Sequence, residues 1–139
     1  MRRQSVFGLS VFVLGTALAA SLGAQAKSVS EGVYTDAQAE RGKAAYEANC
    51  SFCHLSDLTG QGFAPGLVDD TFKARWQDGN LGELFSIVKV TMPQDKPDSL
   101  KPDEYAAIVA FMLKMNKFPA GKQDLVPDEA ALKSVSFKK

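Results

Sequence analysis

The stretch EANCSFCHLSD, residues 47–57, carries both cysteines of this 139-residue chain, Cys50 and Cys53, and its only histidine, His54. Two thiols three residues apart, with an imidazole beside the second, can serve as a redox disulfide, as part of a metal site, or as a covalent anchor. What surrounds the stretch discriminates among these uses. Upstream, TDAQAERGKAAYEAN reads as a helix. Thr35 is its N-cap, Gln38 stands three residues on as in a capping box, and Ala39, Gly42 and Tyr46 fall along one face. The cysteines therefore follow the C-terminal end of a helix.

A redox-active thiol pair needs its first thiol at a helix N-terminus, where the dipole lowers the thiol pKa, and usually follows a strand. Here the helix end is the wrong one and no strand precedes. A structural zinc site needs four ligands in a tetrahedron. Two thiols and an adjacent imidazole leave the chain to find carboxylates elsewhere. Cys-x-x-Cys-His is also the spacing of covalent haem attachment. Each thiol adds to one vinyl group, the three-residue step spans the two vinyls, and the next histidine comes under the iron as proximal ligand. After a helix, in an exported chain of this size, this reading fits everything around the motif.

The start of the chain agrees with it. Arg2 and Arg3 precede the apolar run VFGLSVFVLGTALAASLG and then Ala24-Gln25-Ala26. A basic start, a hydrophobic centre and a small-x-small site form a secretory signal peptide over 1–26, cleaved after Ala26. As a retained membrane anchor the run is near the lower length limit and is weakened by Gly8, Ser10, Gly15 and Thr16. Export matches c-type attachment, which occurs outside the bacterial cytoplasm. Removing 1–26 leaves 113 residues with 14 basic and 16 acidic groups. That is one domain, with a charge balance that argues against nucleic acid as a partner. Its core is thin, and a bound cofactor would strengthen it.

Because His54 stands alone, a second histidine ligand from the same chain is impossible. Past residue 26 the methionines are Met92, Met112 and Met115. Met112 falls on the buried stripe of the last helix, and Met115 reads as packing or surface. Met92 lies between helices, directly before Pro93, which keeps it out of the helical region. A large apolar side chain in a polar, extended segment is the expected sixth ligand. An open or lysine-bound position is the alternative.

Elsewhere, 27–34 reads as a flexible polar leader, and LSDLTGQGFAPGLVDD as a long loop of the kind that serves a function or is anchored to something. A short helix is expected over 69–77, around Phe72 and Trp76. Asn80 caps LGELFSIVKV, which stops before TMPQDKP. KPDEYAAIVAFMLKMN is the last strong helix, with Pro102 at its first position and Tyr105, Ile108, Val109 and Met112 on one buried face. A tail over 121–139 includes a helical turn around 128–133. No stretch alternates as a strand, so the fold class is all-α.

At this point the chain resembles a known family, the bacterial class I monohaem cytochromes c. The motifs are GKAAYEANCSFCH, APGL, TMP and LKPDEYAAIVAFML, placing a cytochrome c domain at 35–120. NKFPAGKQDL looks like cytochromes that accompany periplasmic quinoprotein dehydrogenases. The resemblance implies short helices and long loops around one haem c, attached through Cys50 and Cys53, with iron held by His54 and Met92. It further implies first and last helices crossing through Gly42 and Tyr46 against Tyr105 and Val109. The Pro65 carbonyl would accept from the His54 ring, and Trp76 or Arg75 would contact a haem propionate.

His/Met ligation raises the haem potential and fills both axial positions, favouring one-electron transfer over substrate chemistry. The expected function is a soluble periplasmic electron carrier rather than an enzyme. It would accept from a dehydrogenase or quinol-oxidising complex and donate to a terminal oxidase or peroxidase, without stable membrane insertion after signal cleavage. Lysines 43, 73, 89 and 96 could steer an acidic partner, though solvated surface lysine is the simpler reading. The alternatives are a small-ligand sensor with a labile methionine, and an obligate cytochrome subunit of a periplasmic dehydrogenase.

Overall fold

In the computed structural model, residues 28–138 are described; the signal peptide expected over 1–26 lies outside them. A 3-10 turn, Val29–Glu31, precedes six helices: α1 (Asp36–Asn49), α2 (Ser51–His54), α3 (Asp69–Trp76), α4 (Leu81–Thr91), α5 (Pro102–Met115) and α6 (Glu129–Leu132). Among the described residues there is no strand beyond two isolated bridges, Ser136 pairing with Ser28 and with Asn80. The fold is all-α.

The helix starts follow local chemistry. Thr35 Oγ1 accepts from the Gln38 N–H at 3.0 Å. Asn80 and Glu83 form a complete capping box at α4, and Pro102 opens α5. Gln38 departs from expectation. Its side chain does not return to Thr35; its amide donates to the Leu125 carbonyl at 2.9 Å, and its oxygen accepts the Leu125 N–H at 2.6 Å. With Gln38 only 4% exposed, satisfying a buried backbone pair outweighs the local cap.

The α1–α5 crossing is the main packing contact, in a different register from the one expected. Gly42 lies against the α5 backbone: a Cβ there would sit 1.8 Å from the Ala107 oxygen. The Tyr46 ring packs at a tilt against Phe111, with ring centroids 5.4 Å apart. The missing side chain of Gly42 admits backbone to backbone, so Gly42 meets Ala107 and Tyr46 meets Phe111. The α5 helix is also buried without a break from Tyr105 to Leu113, where one buried face was expected. Besides α1, it meets α4. A helix apolar all round belongs inside a core.

The segment read as a flexible leader is instead built into the fold over its described residues. Val29 and Tyr34 are buried; Val29 donates to the Ser136 carbonyl at 3.0 Å, and Tyr34 donates through its hydroxyl to the Phe118 carbonyl at 2.7 Å. The Gly121 N–H closes the same contact on the Tyr34 carbonyl. Apolar side chains too few to make a core alone find one in the C-terminal segment. There Leu125, Leu132, Val135 and Phe137 are buried. Phe137 packs on Phe72, Trp76 and Phe118, while the α4 glycine Gly82 lets α6 lie close, since a Cβ there would be 2.7 Å from the Glu129 oxygen.

Candidate haem-binding site

The motif is positioned by the end of α1. The Cys50 N–H makes the last α1 hydrogen bond, to Tyr46 O at 2.8 Å. Cys50 then becomes the cap of the single turn α2, and its carbonyl accepts from both Cys53 and His54. Leu55 breaks the turn with φ of 60°, and its carbonyl is held by the Tyr46 hydroxyl at 2.8 Å. The result is a short rigid turn whose three reactive side chains differ in exposure. Cys53 is exposed, Cys50 half-buried and His54 buried.

His54 Nδ1 lies 2.9 Å from the Pro65 carbonyl. A carbonyl only accepts, so Nδ1 carries a proton here, and Nε2 is the ring nitrogen left to serve as a metal ligand. The long loop exists to make this contact. The Gly60 N–H bonds to His54 O at 3.0 Å, and Gly60 has φ of +76°. Any Cβ there would lie 2.4 Å from Ala64 O and 2.7 Å from Pro65 O, so glycine is needed for the approach. Leu58, fully buried, pins the loop from below.

No disulfide joins Cys50 and Cys53. Burial pushes the Cys50 thiol up to about 11, with Lys96 opposing the shift. That is the opposite of an activated redox thiol. Among the described residues no three His, Cys, Asp or Glu side chains converge to hold a metal ion, which removes the zinc reading. The donor set fits haem c: two thiols one helical turn apart, and a buried imidazole with one nitrogen left to coordinate. Apolar exposure fits as well. Of the five large apolar side chains exposed among the described residues, Phe52, Phe63, Ile87 and Val90 lie within five residues of Cys53, Pro65 or Met92 in sequence. The segments that bear the motif, Pro65 and Met92 thus each leave large apolar side chains in solvent.

Met92 follows the last residue of α4 in an extended conformation, φ −124° and ψ 150°. It is half-buried, and its peptide bond to Pro93 is cis. Its N–H caps Val88 O at 3.1 Å, and its carbonyl accepts from the Tyr105 hydroxyl at 2.9 Å. That last contact was not foreseen; Tyr105 was legible only as a buried position on the α5 stripe. Met112 is core, 2% exposed, and Met115 packs half-buried against it. Trp76 and Arg75 stand together, the guanidinium 5.2 Å from the ring centroid. The Trp76 ring faces Phe137, beside a hollow of about 80 Å³ that Phe72, Lys73 and Phe118 also line. Among the described residues no side-chain hydrogen bond joins either to the Cys50–His54 turn. A larger open hollow near Arg41, Asp103 and Asp124 includes no motif residue.

Fold and site together define a monohaem class I c-type cytochrome, an electron-transfer protein that binds haem c covalently. Residues 37–112, more than half of the chain, match the family model described as cytochrome C oxidase, cbb3-type, subunit III. The chain belongs to that family. Among solved structures it is similar to a chain in the crystal structure of the sulfane dehydrogenase SoxCD from Paracoccus pantotrophus, at 20% identity and a TM-score of 0.56. The match covers 93% of this chain and 68% of that one, a likeness of fold. No curated protein matches.

Proposed function

We propose that this protein is a periplasmic one-electron carrier whose haem is tethered by Cys50 and Cys53 and whose iron is held by His54 and Met92. The observation that carries this reading is the His54–Pro65 contact at 2.9 Å. It orients the only histidine with a free nitrogen directly after the two thiols. When bound, haem supplies a one-electron iron couple whose potential His/Met ligation raises. The chain's own part is positional. Cys50 and Cys53 fix the group's edge to the α2 turn, Pro65 fixes the ring plane of His54, and Met92 brings a thioether from the end of α4. Trp76 or Arg75 would contact a haem propionate in this reading. An iron held by His54 and Met92 together would keep no open position for substrate.

Electrons would come from a dehydrogenase or quinol-oxidising complex and pass to a terminal oxidase or peroxidase. Among the described residues no helix is long and apolar enough to cross a membrane. The basic-apolar-small pattern of residues 1–26 supports export. A second reading, a cytochrome subunit resident in a dehydrogenase, is favoured by the fold likeness to a chain of SoxCD.

Visible spectra of the native protein, before and after dithionite, test the ligation. The ferric form is expected to show the weak far-red band of methionine–iron coordination, and the ferrous form to resist carbon monoxide. Ready carbon monoxide binding without that band refutes the carrier reading in favour of a ligand sensor. Co-elution of the native cytochrome with a larger dehydrogenase on size exclusion selects the subunit reading.

A further inference from the structure

We propose that Tyr105 is a positioning residue for the sixth ligand, holding the Met92 segment through its hydroxyl; this rests on the assignment of Met92 above. The Tyr105 ring is fully buried in the first turns of α5. Its hydroxyl donates to the Met92 carbonyl at 2.9 Å and accepts the Leu100 N–H at 3.4 Å. One phenol thus ties both ends of the 92–100 loop to the most buried helix of the fold. Between those ends, residues 94–99 are exposed. Two backbone bonds tie the segment to α4, Met92 N–H to Val88 O and Asp98 N–H to Lys89 O, each at 3.1 Å; the Tyr105 hydroxyl ties it instead to α5 and is the one that holds the Met92 carbonyl. The remaining ties are weaker in kind. Lys89–Asp98 is an ion pair partly open to solvent, of a type that contributes little. Lys96 N–H to Pro93 O is a turn internal to the loop.

Removing the hydroxyl leaves the ring and its packing in place but frees the segment that presents the thioether. The fraction of protein with Met92 in position falls, and an added ligand competing for that position binds more tightly by the same factor. One lost hydrogen bond corresponds to about a five- to tenfold change.

The test is an imidazole titration of the ferric holoprotein, read by loss of the far-red methionine band, for wild type, Tyr105→Phe and Tyr34→Phe. Tyr34 is the matched control: it too is buried, and its hydroxyl donates to Phe118 O at 2.7 Å in the remote contact with the C-terminal segment. Tyr105→Phe is expected to titrate at about five- to tenfold lower imidazole, with Tyr34→Phe at the wild-type midpoint. Equal shifts in both variants overturn the proposal, since they report general loosening. So does a Tyr105→Phe midpoint within about twofold of wild type, or a Tyr105→Phe chain that takes up no haem, since a positioning tie does not govern folding. Met92→Ala separates the two claims. If it keeps the band, the ligand assignment fails and this proposal with it; if it loses the band while Tyr105→Phe titrates as wild type, only the role of Tyr105 fails.

Discussion

Replacing Gly42 by alanine sets two effects against each other at one atom. In an exposed helix, glycine to alanine gains about 1 kcal/mol from propensity. Here the new Cβ meets Ala107 O at 1.8 Å, Ala107 C at 2.4 Å and Ile108 N at 3.0 Å. None of these is the far end of a flexible side chain; all are backbone of α5, whose residues 105–113 are locked in the core. Reaching even 3.0 Å from the Ala107 oxygen needs a displacement of about 1.2 Å, which pulls Tyr46 from Phe111 and opens the largest interface in the fold. Overpacking of this kind costs about 1–3 kcal/mol and more where the backbone must move. The upper end applies, so the net loss after the propensity gain is about 2 kcal/mol. For a domain of this size that corresponds to a fall in Tm of about 10 °C. The assay is thermal unfolding of the holoprotein by circular dichroism, with Ala44→Gly as the propensity control on the exposed face of α1. A Gly42→Ala protein as stable as wild type, or more so, refutes the close approach of the two helices.

Three other outcomes are expected. Met92→Ala loses the far-red band of the ferric protein while Met112→Leu keeps it, because Met112 is core filler at 2% exposure; visible spectroscopy checks both. Phe137→Ala destabilises by about 3 kcal/mol, because it removes the ring that Phe72, Trp76 and Phe118 share; urea unfolding measures it. The Asp124 carboxyl is held below its ordinary value of 3.8 by the Thr35 hydroxyl and then by Arg41. A depressed folded pKa contributes stability above the unfolded value and loses it as pH falls through the folded one. Asp124→Asn therefore lowers Tm at neutral pH, and its gap from wild type narrows once the pH drops below about 3.8; a gap independent of pH counts against the pair.

What the sequence made legible was local. Thr35, Asn80 and Pro102 announce their helices because a cap is a contract between residues three or four apart. Cys50, Cys53 and His54 announce their chemistry because one helical turn holds all of it. The misreadings share the opposite property. Gln38 occupies the place of a capping-box partner, yet its amide serves Leu125, 87 positions away. Val29 looked like loose leader because its partner, Ser136, lies at the other end of the described chain. Tyr105 fitted a helical stripe, and nothing in that periodicity says that its oxygen ends at the Met92 carbonyl. A local window shows which groups offer hydrogen bonds but not which distant group takes them.

The Gln38 carboxamide behaves as a detached peptide unit. It offers one donor and one acceptor to Leu125 as a neighbouring strand would, so a helical protein carries a single rung of sheet drawn from a side chain. Glutamate has the same shape and is equally at home in a helix, but as a carboxylate it only accepts. Put at position 38 it would turn toward the Leu125 carbonyl an oxygen in place of a donor, within a site closed to water. The tolerance of that position is therefore set by complementarity of donors and acceptors, and a change invisible to helix propensity becomes one of its most severe.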